Sequence, residues 1–143
     1  MQPTATEQTS DPPRAPDRRV RRRVATVAAL AAVVIGLAWR ALFSGWLAKY
    51  GGVALWATLV YLLIVWLRPG LSARRAGLAC IIISVAVELF QLTPIPRALY
   101  ELHRGFALVF GTTFNLYDLP AYAAGALLGV ALHSAYLRRQ RAR

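Results

Sequence analysis

Acidic side chains are scarce in this chain, which has 6 Asp and Glu residues against 17 Lys and Arg in 143 residues. Cysteine is rarer still, because Cys80 stands alone, and a single cysteine excludes an intrachain disulfide. Cys80 lies inside an apolar block, which favours a small buried side chain over a reactive thiol. Lysine is limited to Lys49, so the positive charge is almost entirely arginine.

The motifs of soluble enzymes are also missing from the sequence. It has no glycine-rich phosphate loop with a lysine, no GxSxG turn for a nucleophilic serine and no HExxH zinc motif. Neither His103 nor His133 has a cysteine or carboxylate cluster suited to zinc nearby. We therefore expect no metal and no cofactor, and the sequence identifies no catalytic residue.

Hydrophobic residues are abundant, at 57% of the chain, and they are concentrated in four blocks. As helices the blocks would be about 24 to 30 Å long, close to the hydrocarbon thickness of a bilayer. A net charge of +11 would suggest nucleic acid, but the arginines lie between the blocks rather than along one face, and we expect no nucleic-acid partner. The sequence predicts one all-α domain, an integral membrane four-helix bundle. The predicted spans are residues 24–43, 52–67, 76–92 and 119–137.

The two ends of the chain are basic and polar. Residues 1–23 are rich in Pro, Thr, Gln and charge, which predicts a disordered tail, and residues 138–143 form a second basic tail. The run RRVRRR leads directly into the first apolar block without a small-residue cleavage pattern, which favours a retained signal anchor. The membrane domain is therefore expected to cover residues 24–137.

Arginine also predicts the orientation of the spans. If the N-terminus is cytoplasmic, thirteen of the 17 basic residues fall on the cytoplasmic side, in both tails and the turn at 68–75. We expect both termini to be cytoplasmic and the tails to bind anionic lipids of that leaflet. Arginine and alanine richness is typical of a GC-rich bacterial genome, so the predicted location is a bacterial cytoplasmic membrane.

The outer link between the third and fourth predicted spans, residues 93–117, is much longer than the other two. Its run ALYELHRGFALVF mixes large apolar side chains with charged ones. This composition predicts an amphipathic or re-entrant segment at the outer surface.

Polar side chains form a layer at the predicted outer ends of the helices. Ser84, Glu88 and Gln91 lie on one helical face, and a charge at the bilayer centre would cost about 3 kcal/mol on insertion scales. Glu88 is therefore expected to pair, protonate or reach water near the outer edge. The candidate site consists of Arg40, Glu88, Gln91, Arg97, Arg104, Asn115, Asp118 and Tyr122.

Simpler interpretations of these residues remain open. Asp118 also fits a plain helix N-cap, Tyr122 an interfacial aromatic, and Glu88 with Gln91 a polar contact between helices. In the fourth helix, Gly125 and Gly129 form a small-xxx-small pattern that predicts close packing against another helix.

The runs KYGGVALWATLVY, VELFQL and GTTFNLYDLPAYAAGALLG resemble a family of small bacterial membrane proteins, domain-of-unknown-function family 2809. The resemblance covers about residues 30–137. Members of that family tend to have an aspartate where this chain has Val53. The pattern E-x-x-Q, then an arginine, then D-x-x-x-polar-x-x-G is more distantly similar to VanZ-like membrane proteins, although Tyr122 stands where those tend to have asparagine.

Three functions are compatible with these observations. The first is a non-enzymatic cell-envelope protein whose polar layer binds a lipid-linked or cell-wall component. The second is an intramembrane enzyme acting on such a lipid, with Glu88 or Asp118 as general base. The third is a small transporter, which with four spans would require a homo-oligomer. We rank them in that order.

Overall fold

The computed structural model describes residues 17–111 and 113–142. Within these residues the chain is all-helical, as predicted, with short connections and no strand. The helices are α1 (Arg18–Leu42), α2 (Gly45–Leu67), α3 (Ala73–Phe90), α4 (Ile95–Leu102), α5 (Phe106–Phe110) and α6 (Asp118–Arg141).

Both outer helices extend into the predicted tails. Helix α1 begins at Arg18 because the Asp17 side chain caps it, accepting a hydrogen bond from the backbone N–H of Arg19 at 3.0 Å. Helix α6 continues to Arg141, where its basic last turn suits the negative end of the helix dipole. Residues 18–23 and 138–141 are thus helical, while residues 1–16 of the predicted tail lie outside the described residues.

Helix α2 is central, since it packs against α1, α3 and α6. Its buried residues Ala57 and Tyr61 meet Cys80 of α3 and Ala126 of α6 in one hydrophobic core. Cys80 is buried there, and its thiol donates to the carbonyl oxygen of Ala57 at 3.2 Å. The core therefore lies mainly between α2, α3 and α6, and Ala25 of α1 also belongs to it.

The two predicted packing glycines lie in the contact between α6 and α2. A Cβ added to Gly125 would fall on the carbonyl oxygen of Ala54, and one added to Gly129 would fall on the Tyr61 ring. The Thr58 hydroxyl lies 3.0 Å from the carbonyl oxygen of Gly125, so a side chain of α2 also contacts the α6 backbone. Only glycine allows the two backbones to approach this closely.

Among the described residues, α1 and α2 are each long and apolar enough to cross a membrane. Helices α3 and α4 are bent by 84° relative to each other, and they form a third candidate if the pair is one broken span. Only 11% of the most apolar window of α1 is buried, and side chains such as Val27, Leu30 and Val34 face outward. So much exposed apolar surface indicates a membrane protein. Helix α6 is not among these candidates from the described residues.

The link after α3 turns sharply and forms two short helices that pack on each other. Pro94 and Pro96 lie at the start of α4, where proline is tolerated, and Pro96 is buried. Helix α5 ends at Gly111, whose φ of 64° lies in the left-handed region. The link therefore bends back toward the end of α3 and the start of α6.

Candidate functional site

A cavity of about 500 Å³ lies where α3 ends and α6 begins. Its walls come from the last turn of α1, the first half of α2, the end of α3, helix α5 and the start of α6. Several lining side chains are surface-exposed, including Arg40 and Lys49, so the cavity reaches the surface. Its polar and aromatic lining consists of Arg40, Lys49, Trp56, Gln91, Phe110, Thr113, Asp118 and Tyr122.

Glu88 lies behind this lining rather than in it. Its side chain is only 1% exposed, and each carboxylate oxygen has a partner. The Tyr122 hydroxyl donates to Oε1 at 2.8 Å, and the backbone N–H of Asn115 donates to Oε2 at 2.9 Å. Neutral donors, rather than an arginine, therefore satisfy this buried carboxylate, and it holds Tyr122 and Asn115 in place.

Gln91, three residues after Glu88, also contacts the link between α3 and α6, but at Phe110 rather than at Asn115. Its Nε2 donates to the carbonyl oxygen of Phe110 at 2.6 Å. A carbonyl can only accept, so this contact fixes which end of the amide carries nitrogen. Gln91 Oε1 is buried and has no hydrogen-bond partner among the described residues.

Together, Glu88 and Gln91 form what we call the link clamp: a side chain of the last turn of α3 and the side chain of its C-cap residue, which bind backbone groups at positions 110 and 115. Gly111 lies directly against the clamp, and a Cβ there would collide with Gln91 Nε2. Because its φ is also positive, a larger residue at 111 would be strained. The E-x-x-Q spacing thus shapes one wall of the cavity.

Asp118, the first residue of α6, also lines the cavity. It is 7% exposed, and its Oδ1 accepts a hydrogen bond from Asn115 Nδ2 at 2.6 Å. Lys49 Nζ lies 3.4 Å from the same oxygen. The carboxylate is also at the N-terminal end of α6, where the helix dipole favours a negative charge.

Lys49 is a charged site residue that sequence reasoning missed, and Trp56 and Thr113 of the lining were also not predicted. It was assigned to the first loop because α2 was expected to begin at residue 52. Helix α2 instead begins at Gly45, which places Lys49 one turn into the helix, facing Asp118. The signal that could have located it is the run GWLAKYGG, which is apolar enough to extend the helix upstream.

The predicted site residues fall into three groups. Arg40, Gln91, Asp118 and Tyr122 line the cavity. Glu88 and Asn115 lie directly behind it, joined to those residues by hydrogen bonds. Arg97 and Arg104 do not line it: Arg97 pairs with Glu101 at 3.7 Å on the exposed side of α4, and Arg104 lies exposed between α4 and α5.

The described residues offer no cluster of three or more His, Cys, Asp or Glu side chains that could hold a metal ion. His133 is buried near the other end of α6, where its Nδ1 lies 3.0 Å from the Tyr61 hydroxyl. The cavity lining itself offers charge pairing and hydrogen bonding, through Arg40, Lys49, Gln91 and Asp118.

A family model described as "Protein of unknown function (DUF2809)" matches residues 42–126. Every residue lining the cavity except Arg40 falls within the matched range. Neither the curated proteins nor the solved structures contain a match to the chain.

Proposed function

We propose a binding function for this chain, which belongs to the DUF2809 family of proteins of unknown function. In this proposal it is a non-enzymatic membrane protein that holds the headgroup of a phosphate-bearing envelope lipid. The observation that carries the proposal is a cavity lined by two cations, Arg40 and Lys49, among helices whose outer surface is apolar.

The charge of the cavity lining supports a phosphate. Arg40 and Lys49 contribute two positive charges, Asp118 contributes one negative charge, and the Asp118 carboxylate already contacts Lys49. One net positive charge remains for a ligand. Guanidinium and ammonium groups are the side chains that proteins commonly use to bind phosphate.

The proposed location is the outer edge of a bacterial cytoplasmic membrane. The proposal takes α1, α2, α3 and α6 as the four spans of a helix bundle with both termini in the cytoplasm. Its support is the arginine-rich composition of the two ends and of the turn between α2 and α3. In this orientation the cavity opens beside the outer headgroup layer, and the distant similarity to VanZ-like proteins is in keeping with an envelope role.

Binding is favoured over catalysis because of how the carboxylates are used. Glu88 does not line the cavity, and both of its oxygens accept hydrogen bonds from neutral groups, so it is poorly placed to take a proton from a ligand. Asp118 does line the cavity, and its hydrogen bond from Asn115 and its ion pair with Lys49 are contacts of a charged carboxylate held in a binding site. No observation on the described residues favours a transport path over a binding site.

A headgroup binding assay tests the proposal. Dihexanoyl phospholipids and dihexanoylglycerol, which lacks phosphate, would be titrated into the purified full chain in detergent, with binding measured by intrinsic tryptophan fluorescence. We expect saturable binding of the phospholipids only, weakened at least about tenfold by Arg40→Gln or Lys49→Gln, because each substitution removes one charged hydrogen-bond donor.

Arg104→Gln is the matched control, since Arg104 is exposed and does not line the cavity. Equal binding of dihexanoylglycerol and the phospholipids would overturn the proposal. So would a loss of affinity in the Arg104 variant equal to that in the two cavity variants.

A further inference from the structure

Gln91 Oε1 gives the cavity a second property besides its positive charge. Oε1 is buried and has no hydrogen-bond partner among the described residues, and Gln91 is one of the residues that line the cavity. The amide cannot turn to relieve this, because Nε2 is committed to the carbonyl oxygen of Phe110. Buried acceptors in folded proteins normally have a donor, so a ligand that supplies one would complete the site.

Asp118 offers an acceptor in the same cavity. The hydrogen bond from Asn115 and the ion pair with Lys49 both involve Oδ1. The other carboxylate oxygen has no hydrogen bond among the described residues. The lining therefore combines two positively charged hydrogen-bond donors, Arg40 and Lys49, with two hydrogen-bond acceptors. The acceptors are the neutral Gln91 amide oxygen and the charged Asp118 carboxylate.

We propose that the bound headgroup carries a protonated primary amine beside its phosphate, as phosphoethanolamine does. Its ammonium would donate to Gln91 Oε1 and to the Asp118 carboxylate, and its phosphate would face Arg40 and Lys49. This inference rests on the proposed function, since it specifies the headgroup class held in the same cavity. A volume of about 500 Å³ is within the usual range of small-molecule sites.

A primary amine is favoured over a quaternary one by hydrogen bonding alone. The cavity also contains the rings of Trp56 and Tyr122, whose centroids are 5.6 Å apart, and aromatic faces attract ammonium and trimethylammonium groups alike. Of these two amines, only the primary one has N–H bonds that can donate to Gln91 Oε1. A neutral hydroxyl headgroup could also donate to Oε1 but would leave the charge of Asp118 without a cationic ligand group.

Stepwise N-methylation tests the inference on the unaltered chain. The ligands are dihexanoyl phosphatidylethanolamine, its N-methyl and N,N-dimethyl derivatives, and dihexanoyl phosphatidylcholine, which differ in N–H count but not in net charge. We expect the dissociation constant to rise along the series, by at least about tenfold from first to last. Equal affinity across the series would overturn the amine assignment while leaving phosphate binding, and hence the proposed function, intact.

Dihexanoyl phosphatidylglycerol separates a hydroxyl donor from an ammonium. Affinity equal to that of phosphatidylethanolamine would overturn the ammonium assignment. Failure of every phospholipid to bind would overturn the proposed function and this inference together.

Asp118→Asn gives a second test of the same point, because it keeps an acceptor oxygen and removes the negative charge. We expect this variant to lose most of the preference for ethanolamine over choline, with phosphate affinity unchanged or higher. Retention of the full preference would contradict the role given to Asp118. Gln140→Glu, an exchange outside the cavity near the end of α6, is the control for altering side-chain charge alone.

Discussion

The Tyr122 hydroxyl donates a hydrogen bond to Glu88 Oε1 at 2.8 Å, and this contact joins α6 to α3 in the buried interior. Tyr122 also lines the cavity. Glu88 thus acts on the site through the groups it holds, as a positioning residue.

Glu88→Ala is expected to destabilise the protein by about 3 kcal/mol, because it leaves the Tyr122 hydroxyl and the Asn115 N–H buried without an acceptor. Glu88→Gln should cost about 1 kcal/mol or less, since its oxygen can accept from Asn115 and its amide can donate to the Tyr122 oxygen. Unfolding of the purified variants in mixed detergent micelles measures both values.

Glu101→Ala is the control for removing a glutamate, because that side chain is 70% exposed and belongs to an exposed ion pair. Its effect should be within about 0.5 kcal/mol. A Glu88→Gln variant as unstable as Glu88→Ala would show that the negative charge, rather than hydrogen-bonding capacity, is what the structure requires.

Gly125→Ala should weaken the contact between α6 and α2. The added methyl group would meet the Ala54 carbonyl oxygen and the Ala57 side chain, and such overpacking costs about 1 to 3 kcal/mol. Gly36→Ala makes the same change inside α1, where the nearest atom is Leu55 Cβ at 3.9 Å. That control should be neutral or stabilising by about 0.5 kcal/mol, because alanine is the better helix former. Thermal denaturation of the two variants measures this difference. Equal melting temperatures would contradict the close approach of α6 to α2 at Gly125.

The pair Lys49 and Asp118 should show a coupling energy of about 1 kcal/mol in a double-mutant cycle of Lys49→Met and Asp118→Asn. The value is modest because Lys49 is 48% exposed, although the Asp118 side chain is only 10% exposed. Arg97 and Glu101 provide the comparison pair, with both partners exposed, and should couple by no more than about 0.5 kcal/mol. If the coupling energy of Lys49 and Asp118 is no larger than that of Arg97 and Glu101, the role given to the Lys49–Asp118 ion pair in the site is contradicted.

The proposed orientation predicts which positions react with a membrane-impermeant thiol reagent. In a Cys80→Ala background, Thr113→Cys should be labelled in intact cells, whereas Gly70→Cys should be labelled only after permeabilisation. Both positions are exposed, so neither fails to react through burial. The reverse pattern would place the cavity on the cytoplasmic side. Labelling of both from one side would mean that the chain does not cross the membrane between them.

Helical class and membrane character could be predicted from the sequence because they depend on local patterns. The apolar blocks are long, and Ser84 and Glu88 of one predicted face are both buried. Close packing at Gly125 followed from the same kind of pattern, since small residues four apart present one face. Each of these features depends on neighbours within about one or two helical turns.

The partners of Glu88 could not be predicted in this way. The sequence leaves pairing, protonation and contact with water open for Glu88, whereas the structure supplies a phenol and a backbone N–H. The position of that N–H depends on how the link folds, including the positive φ of Gly111, and no periodicity in the sequence encodes it. Lys49 was missed for a related reason, because interfacial aromatics and glycines at 45–52 obscure where α2 begins.

The link clamp has a consequence for how this site could diversify. Glu88 and Gln91 bind a backbone N–H and a backbone carbonyl, groups that nearly every residue type possesses. Cavity residues on the link, such as Val109 and Thr113, are therefore not committed to holding the wall in place. Mutation at these positions could change the ligand selectivity of the cavity while the link clamp keeps the backbone of the link in place.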